Sequence, residues 1–382
     1  MSEWRKLPLK EITVKIGSGS TPTGGSGAYK ETGVSLIRSQ NVLDFSFTNN
    51  GLAFIDEEQA HALRNVIVEP QDVLLNITGD SVARCCSAPR EWLPARVNQH
   101  VAIIRANPKH LDSLFLKYSL ISIKDELLSL SEIGGTRNAL TKSMLENLKL
   151  FVPSVIEQKA IASVLSSIDN KIDLLHRQNK TLESMAETLF RQWLDNEQQD
   201  NLKEGKLSDI ISLKYGKALK QENRSGEGFP VVASGGIVGF HNEYLVNAPG
   251  IVIGRKGTLG KVYYMYENFY PIDTSYYIES KIKNSKLFYE YFLLKSLGFE
   301  NMNSDSAVPG LNRDSAMSSS ITLPSFEMII NFNSFCEGFF NKIKINSTQV
   351  NTLENLRDTL LPKLMSGELR VQYAEEAIAS VA

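Results

Sequence analysis

The chain of 382 residues has few cysteines, no long apolar run and no excess of either charge. Its three cysteines, Cys85, Cys86 and Cys336, form neither a C-x-x-C pair nor a cluster with histidine, which argues against a zinc site or a disulfide framework. The longest apolar runs are too short to cross a bilayer, and the N-terminus has no signal-peptide pattern. We therefore expect a cytoplasmic protein with no membrane contact.

The formal net charge is −2, from 41 basic and 43 acidic residues. A protein that binds nucleic acid unaided is usually basic. If this chain binds nucleic acid, the balance indicates that partner proteins supply part of the phosphate neutralisation.

The most informative positive feature is an internal duplication. Residues 139–193 match, without a gap, the residues that lie 171 positions later. Leu140 thus corresponds to Leu311, and Pro153 to Pro324. This period is far longer than the 20–50 residues of a solenoid repeat. The pattern predicts one unit used twice, with an approximate two-fold axis between the copies.

Each copy begins with a strand-rich head that also contains one helix and ends in a polar turn. The first head is longer, because 55 residues separate Gly17 from Asp72 whereas 34 separate Gly216 from Gly250. Apolar runs bounded by Gly, Pro and Asn predict strands at 34–37, 72–78, 97–105, 231–233, 250–255 and 272–279. Helices are predicted at 113–130 and 286–297, and turns at 134–138 and 307–312.

A long helix follows each head. Apolar residues from Ile161 through Leu189 to Trp193 recur at alternating spacings of four and three, and the stripe largely returns in the second copy. The predicted helix-pairing residues are Ile168, Ile172, Leu175, Asn179, Leu182, Phe339, Ile343, Asn346, Val350 and Leu353. We expect an antiparallel pair roughly 48 Å long, at about 1.5 Å per residue, that spaces the heads. Two amphipathic helices packed in separate cores are the alternative.

Asn179 and Asn346 occupy seam positions of this heptad pattern. A buried asparagine in a coiled coil lowers stability but fixes register. The Asn179→Leu variant is therefore expected to melt at a higher temperature with a looser register. Local fraying that exposes both residues is the alternative.

Several motifs resemble those of the DNA-specificity subunits of type I restriction–modification systems. The first copy carries GSGSTP at 17–22, DVLLNITG at 72–79, NQHV at 98–101 and PSVIEQKAI at 153–161. The second carries GRKGTLG at 254–260 and LLPKLMSGEL at 360–369. The resemblance covers nearly the whole chain. It departs at residues 328–329, where Met-Ile replaces the Glu-Gln of 157–158, and at Pro362, which is expected to end or kink the second helix.

The resemblance implies an α+β fold with two pseudo-two-fold-related α/β target-recognition domains, joined by a long antiparallel two-helix coiled coil. The expected segments are recognition domains at 1–153 and 201–324, a central helical spacer at 154–200, and a C-terminal spacer and tail at 325–382. Each recognition domain would read one half of a split site on double-stranded DNA. Two adenine methyltransferase (modification) subunits would dock on the helices, two restriction subunits would join them, and no cofactor is expected.

Candidate DNA-contacting residues are polar side chains on the turns of the heads, since base edges are read by forked donors and acceptors. Arginine suits guanine, asparagine and glutamine suit adenine, and lysine suits phosphate. In the first copy they are Arg38, Gln40, Asn41, Thr78, Ser81, Arg84, Arg137, Asn138 and Lys142. In the second they are Ser234, Arg255, Lys256, Thr258, Lys261, Asn312 and Arg313. Solvated turns are the alternative for each.

Two further groups have alternative interpretations. The run 98–100, Asn-Gln-His, can read bases, but turn formation and packing explain it as well. The tyrosines between 263 and 277 can stack on bases, although their strand spacing favours core and sheet surface.

No catalytic motif is evident. The Asn/Asp-Pro-Pro-aromatic string of adenine methyltransferases, the clustered carboxylates and lysine of a magnesium nuclease, and the Gly-Lys-Ser/Thr end of a P-loop are all missing from the sequence. A non-catalytic specificity subunit is the preferred interpretation. The alternatives are an enzyme with an unrecognised site, a coiled-coil scaffold without a DNA role, and a specificity subunit of a methylation-only or other phage-defence methyltransferase complex.

Overall fold

The fold is described here from a computed structural model, which covers residues 4–22, 24–132, 138–195, 203–302 and 310–371. The chain divides into two compact units, one formed by Met1–Leu174 with Gln349–Ala382 and the other by Leu175–Thr348. Among the described residues, none of the helices is both long and apolar enough to cross a bilayer.

The described part of the first head contains ten strands and five short helices, besides short 3-10 turns, and leads into the first long helix. In chain order these are β1 (Arg5–Pro8), α1 (Leu9–Ile12), β2 (Thr13–Ser18), β3 (Val34–Ile37), β4 (Ala53–Ile55), α2 (Glu57–Ala62), β5 (Ile67–Val68), β6 (Val73–Asn76), β7 (Cys85–Ser87), β8 (Ala95–Val97), β9 (Val101–Ala106), α3 (Ser113–Ser122), α4 (Lys124–Ser131), α5 (Lys142–Asn147), β10 (Lys149–Val152) and α6 (Val155–Asp195).

The second head repeats this order with fewer elements and leads into the second long helix. Its elements are β11 (Lys203–Lys206), α7 (Leu207–Ile210), β12 (Ile211–Tyr215), β13 (Phe229–Ala233), β14 (Gly236–His241), β15 (Gly250–Gly254), β16 (Val262–Met265), β17 (Tyr270–Pro271), β18 (Ser275–Ser280), α8 (Phe288–Ser296), α9 (Arg313–Met317), β19 (Ser320–Leu323) and α10 (Phe326–Met365).

Both heads have the same three-sheet plan. The antiparallel ribbon β1–β10 corresponds to β11–β19, and the antiparallel sheet β2-β9-β6-β7 corresponds to β12-β18-β15-β16. The third sheet, β4-β3-β8-β5 in the first head and β14-β13-β17 in the second, contains a parallel pair in each case. The extra length of the first head carries α2 and β5, which have no counterpart among the described residues of the second head.

The central strands of the heads are continuous apolar runs. The strands β3, β6 and β15 are buried at every position, because each has a neighbour on both edges and is covered on both faces. These strands were predicted from the sequence to within two residues. Their ends therefore hold the polar turns that follow them in fixed positions.

Two predicted elements are divided in the structure. The strand expected over 97–105 is two strands, because the Asn98 side chain accepts a hydrogen bond from the His100 backbone at 3.0 Å and closes a turn between them. The helix expected over 113–130 is two helices that meet at Ile123. The second long helix continues through Pro362 and ends at Met365, so that the proline lies in its last turn.

The long helices hold the heads by buried amides at different positions. Gln158 is fully buried; its Oε1 accepts from the Asp112 backbone at 2.8 Å, and its Nε2 donates to the carbonyls of His110 and Pro153. In the second unit Asn333 does this work, since its Oδ1 accepts from the Tyr289 backbone at 2.9 Å. The second long helix has Met-Ile at 328–329 where the first has Glu-Gln, and Asn333, one turn later, supplies the amide that Gln158 supplies in the first unit. Each long helix is therefore bonded to its head through a buried amide.

Within each unit, part of α6 packs on part of α10. In the first unit, Arg357 contacts Asp169 at 3.4 Å; in the second, the Trp193 and Phe332 rings lie 5.5 Å apart. Of the predicted helix-pairing residues, Ile168, Ile172, Leu175, Asn346, Val350 and Leu353 are buried, whereas Asn179, Leu182, Phe339 and Ile343 are half-buried.

The stripe departs from a strict heptad where the second head packs on the helices. Phe190 and Phe340, which lie one position beyond the predicted Leu189 and Phe339, are both 2% exposed. Phe190 contacts rings of Tyr289 and Phe292, and Phe340 contacts Phe288 at 4.3 Å between centroids. The helices therefore serve as part of the head's core as well as pairing with each other.

The two seam asparagines bond to each other. Asn346 Nδ2 donates to Asn179 Oδ1 at 2.8 Å, and Asn179 Nδ2 donates to Ser347 Oγ at 3.3 Å. Asn346 is fully buried. This pairing revises the expectation for Asn179→Leu, because the single variant would leave the buried amide of Asn346 without its best acceptor.

We expect Asn179→Leu alone to lower the free energy of unfolding by about 1–3 kcal/mol, the cost of an unsatisfied buried polar group. The double variant Asn179→Leu/Asn346→Leu should regain that loss or exceed the wild-type stability, because neither amide remains buried. Thermal unfolding of the wild type, Asn179→Leu, Asn346→Leu and the double variant gives the coupling energy between the two asparagines. A single variant as stable as the wild type would show that the pair contributes nothing.

Candidate nucleic-acid interface

Three polar segments of the first unit meet at one cleft, with a volume of about 940 Å³. They are the turn after β3, the turn between β6 and β7, and the segment that precedes α5. The cleft is lined by Ser39, Gln40, Thr78, Gly79, Asp80, Ser81, Arg84, His100, Asn138 and Ala139. Five predicted DNA-contacting residues, Gln40, Thr78, Ser81, Arg84 and Asn138, are thereby brought together from segments far apart in sequence.

Backbone and side-chain hydrogen bonds fix this convergence. The buried Asn76, at the end of β6, donates from Nδ2 to the Ser39 carbonyl at 2.9 Å. The Gly79 amide donates to the Asn138 carbonyl at 3.2 Å, and the Leu140 amide to the Ile77 carbonyl at 2.8 Å. The cleft is therefore part of the folded framework and does not depend on loop closure.

The predicted residues around 38–41 differ in how free their side chains are. Gln40 is exposed. Arg38 donates to the Gly51 carbonyl and lies over the Tyr29 ring at 5.1 Å, so much of its guanidinium is engaged. Asn41 is fully buried, and its amide bonds the backbone of Arg38 and Thr48. Asn41 thus fixes the conformation of the turn and is not among the residues that line the cleft.

The remaining predicted residues of the first copy also differ in the exposure and the bonding of their side chains. Arg84 is half-buried in the cleft and has no ion pair with any described residue. Asn138 is exposed. Lys142 is exposed and lies 3.6 Å from Glu146, one turn along α5. Arg137 lies outside the described residues.

The second unit assembles the corresponding three segments. The Tyr263 hydroxyl donates to the Ser234 carbonyl, which joins the turn after β13 to the hairpin that follows β15. Lys256 forms an isolated bridge with Gly310, and the Leu311 amide donates to the Arg255 carbonyl at 2.9 Å. The hairpin and the segment before α9 therefore lie side by side, as their counterparts do in the first unit.

Within this second cluster, the cations are the accessible groups. Lys256 and Lys261 are exposed. Arg255 is half-buried; its guanidinium lies over the Tyr215 ring at 4.8 Å and donates to the Asp273 carbonyl at 3.0 Å. Thr258 is half-buried beside Gly235. An aromatic face and a fixed carbonyl hold the planar guanidinium in one orientation, which suits bidentate recognition.

Three other predicted residues of the second copy have structural roles. Ser234 is 8% exposed. Asn312 caps α9, since its Oδ1 accepts from the Asp314 and Ser315 backbones. Arg313 donates from Nε to the Leu213 carbonyl at 2.9 Å. Their side chains are buried or bonded to backbone groups, so they are not among the accessible groups of the cluster.

Of the tyrosines between 263 and 277, Tyr276 is buried, and the others are half-buried and pack against the apolar clusters of the second unit. Tyr264 stacks on Phe288 at 5.3 Å and contacts Phe340, and Tyr276 is 1% exposed with its hydroxyl bonded to the Leu311 carbonyl. Burial raises the pKa of Tyr276 to about 12, so its hydroxyl remains a donor. These rings are not available for stacking on bases.

Some residues of the two clusters were not in the predicted set. Asp80 lines the first cleft, and Tyr215 supports Arg255 in the second unit. His100, for which base reading was one of two interpretations, also lines the first cleft. Asp80 follows directly from its position in the predicted turn, whereas Tyr215 lies 40 residues before Arg255. Only the pairing of β12 with β18 explains its position beneath the arginine.

The first cluster presents hydroxyl, amide and guanidinium groups, and the second presents a hydroxyl, a guanidinium and two ammonium groups. Such groups supply the donors and acceptors that recognise base edges, together with cations for phosphates. The arrangement therefore fits binding to nucleic acid in both units.

Comparison with known proteins identifies the family. The family model for the type I restriction modification DNA specificity domain matches residues 1–184 and 199–355. The type I restriction enzyme MjaIX specificity subunit of Methanocaldococcus jannaschii is 28% identical, over 97% of this chain and 94% of its own length. The type I restriction enzyme HindI specificity subunit of Haemophilus influenzae is 30% identical, over 59% of this chain and 48% of its own length.

Among solved structures, the S subunit of a type I restriction–modification system from M. genitalium has a similar fold. Its TM-score is 0.59 at 21% identity, and the match covers 95% of this chain and 96% of that one. Since the family model matches most of the chain, the protein belongs to the type I restriction–modification DNA-specificity family, as a non-catalytic subunit that determines DNA target recognition.

Proposed function

We propose that each head reads one half of a bipartite target on double-stranded DNA through its turn cluster. The recognition domains are residues 1–153 and 201–324, and residues 154–200 and 325–382 form the helical spacer segments and the tail. The observation that carries the proposal is that three polar segments, predicted from sequence in each copy, converge in both heads. A scaffold without a DNA role has no need for two such clusters of different chemistry.

The side chains divide by the chemistry they offer. Arg84 and Arg255 provide forked donors for guanine, Asn138 provides the donor–acceptor pair that suits adenine, and Gln40 offers its amide oxygen as an acceptor. Lys142, Lys256 and Lys261 neutralise phosphates, while Thr78, Ser81 and Thr258 offer hydroxyls to either base edges or backbone. The exposed side-chain amides lie in the first cluster, whereas the second has two lysines and an arginine held on the Tyr215 ring, which fits half-sites of different sequence.

The partners follow from the family and from the charge of the chain. Two modification subunits would dock along the long helices and place their active sites over adenines, which they must flip out to methylate. Two restriction subunits would complete the nuclease. With a net charge of −2, the chain alone has little electrostatic attraction for DNA. The modification subunits would therefore contribute much of the phosphate contact.

Alanine variants test this division of roles. In complex with a modification subunit, Arg84→Ala should weaken binding by about 1–3 kcal/mol and relax one position of one half-site. Lys256→Ala should weaken binding to all sequences alike and lower the salt slope by about 1. Binding is measured by fluorescence anisotropy on target, half-mutated and random duplexes across a salt series.

Matched variants outside the clusters serve as controls. Arg90 and Lys203 are exposed and lie on other parts of the two heads. Arg90→Ala and Lys203→Ala should bind as the wild type does. If they weaken binding as much as Arg84→Ala and Lys256→Ala do, the turn clusters are not the DNA-contacting surfaces.

A further inference from the structure

A chain of hydrogen bonds in the first unit ends at a residue of the cleft. Thr21 Oγ1 bonds Gln99 Oε1, Gln99 Nε2 lies 3.0 Å from His100 Nε2, and His100 Nδ1 bonds Thr78 Oγ1. His100 and Thr78 line the cleft, whereas Thr21 and Gln99 are not among its lining residues. Groups outside the cleft are thereby connected to a hydroxyl inside it.

The direction of each hydrogen bond in this series determines whether the Thr78 hydroxyl can donate or accept in the cleft. Because the amide nitrogen of Gln99 faces His100, the imidazole Nε2 must accept the bond. A neutral histidine that accepts at Nε2 carries its proton on Nδ1, so the ring donates to Thr78 Oγ1. The hydroxyl of Thr78 then accepts within the protein, and its own proton is free to donate into the cleft.

The backbone fixes the ring in this place. The His100 amide donates to Asn98 Oδ1 at 3.0 Å, and the His100 carbonyl accepts from the Ile77 amide at 2.9 Å. Asn98 is 4% exposed. The imidazole is thus held beside the end of β6, directly next to the residue that it bonds.

We propose that Thr78 reads a base-edge acceptor as a hydrogen-bond donor, and that His100 and Gln99 are positioning residues that impose this direction. The inference rests on the proposed function of the first head. In the major groove the acceptors are N7 and O6 of guanine, N7 of adenine and O4 of thymine, whereas the exocyclic group of cytosine is a donor. The position that Thr78 reads therefore excludes cytosine on the contacted strand.

This hydrogen-bonded series, the Thr21–Gln99–His100–Thr78 relay, also predicts that residues outside the cleft affect specificity. If the Gln99 amide turned over, its oxygen would accept from His100 Nε2, and the imidazole Nδ1 would accept from Thr78. The threonine would then offer only lone pairs to DNA and would select the amino groups of cytosine or adenine. The polarity of Thr78 is thus set at Gln99, through the ring of His100.

Target-motif mapping tests the proposal in the complex with a modification subunit. Thr78→Val keeps the shape but removes the hydroxyl, and His100→Leu removes the ring donor. Both should lose about tenfold in discrimination at the same single base pair of one half-site, the value of one hydrogen bond. His100→Asn keeps a donor near the Nδ1 position and should restore most of the preference. His110→Leu, an exposed histidine outside the cleft, is the matched control.

A measurement without DNA separates this proposal from the function on which it rests. In the chain labelled with ¹⁵N-histidine, the His100 resonances should show the proton on Nδ1. A proton on Nε2, or a His100→Leu variant with an unchanged motif, overturns the relay and leaves the proposed function intact. Absence of any motif for the wild-type complex would instead overturn the proposed function, and the labelled spectrum would still decide the direction of the relay.

Discussion

Replacing Asp169 with alanine is expected to lower the free energy of unfolding by roughly 3–5 kcal/mol, the cost of removing one partner from a buried ion pair. Asp169 lies on α6 and joins three elements of the first unit. Its carboxylate accepts from Lys117 Nζ at 3.0 Å, from the Tyr118 hydroxyl at 2.6 Å and from Arg357 at 3.4 Å.

The size of this effect follows from burial. The side chains of Lys117, Arg357 and Asp169 are 6%, 10% and 15% exposed. Burial and the neighbouring carboxylate raise the pKa of Tyr118, so that its hydroxyl remains a donor to Asp169. Without the carboxylate, the buried Lys117 ammonium would lose its ion pair with Asp169, and Arg357 would keep its ion pair with Asp358, at 3.0 Å.

Urea unfolding with hydrogen exchange measures both the size and the place of the loss. Protection should fall first in α3 and in the adjoining part of α6. A triple variant, Asp169→Leu/Lys117→Met/Arg357→Met, should recover much of the stability, because no charge is then buried. Asp125→Ala, at an exposed position of α4, is the control. A loss below about 1 kcal/mol for Asp169→Ala would place this cluster with ordinary surface ion pairs.

Exchanging the second head should change one half-site completely and leave the other unaltered. The exchanged segment runs from 203 to 324, so that the β11–β19 ribbon is transferred whole. Because each cluster is built within its own unit, the first head should keep its structure and its specificity. Methylation mapping of the chimera with a modification subunit reads out both halves together.

The chimera needs the new head to fit the long helices. Glu183 bonds Tyr291 and Lys295, and Phe190 packs on Tyr289 and Phe292. A donor head that retains aromatic and lysine residues at these positions keeps this contact. The reciprocal exchange of residues 5–152 should alter the other half-site. If either exchange changes both halves, the heads do not read independently.

The duplication and the central strands could be predicted from sequence, because continuous apolar runs such as Val73–Asn76 and Gly250–Gly254 have no alternative to burial. The ribbon strands could not. Arg5–Pro8 pairs with Lys149–Val152 across most of the head, and neither segment is periodic or apolar enough to indicate a partner. Long-range pairing of short strands has no local signal.

The helix stripe shows a similar limit. The heptad predicted Leu189 and Phe339 at the seam, but Phe190 and Phe340 are the more buried residues. The second head covers one side of the helices, and the sequence of a helix does not indicate which neighbour covers it. The sequence did not indicate the role of Asn333 for the same reason, since this amide lies one turn beyond residue 329, the position that corresponds to Gln158.

In the candidate site, the sequence predicted the turns better than the individual side chains. The buried apolar strands determine where the turns meet, and these strands were recognised. Whether a side chain faces outward depends on backbone groups that lie nearby only in the fold. Arg38 and Arg313 illustrate this, because each donates to a carbonyl that is distant in sequence, that of Gly51 and that of Leu213.

We expect this chain to direct the methylation carried out by a modification subunit to a split DNA target. Co-expression with a type I modification subunit in a host that lacks adenine methylation, followed by single-molecule sequencing, tests it most directly. We expect one motif of two short half-sites separated by a gap of fixed length, with a methylated adenine in each half. An active complex that contains this chain and methylates without any such motif would contradict the account.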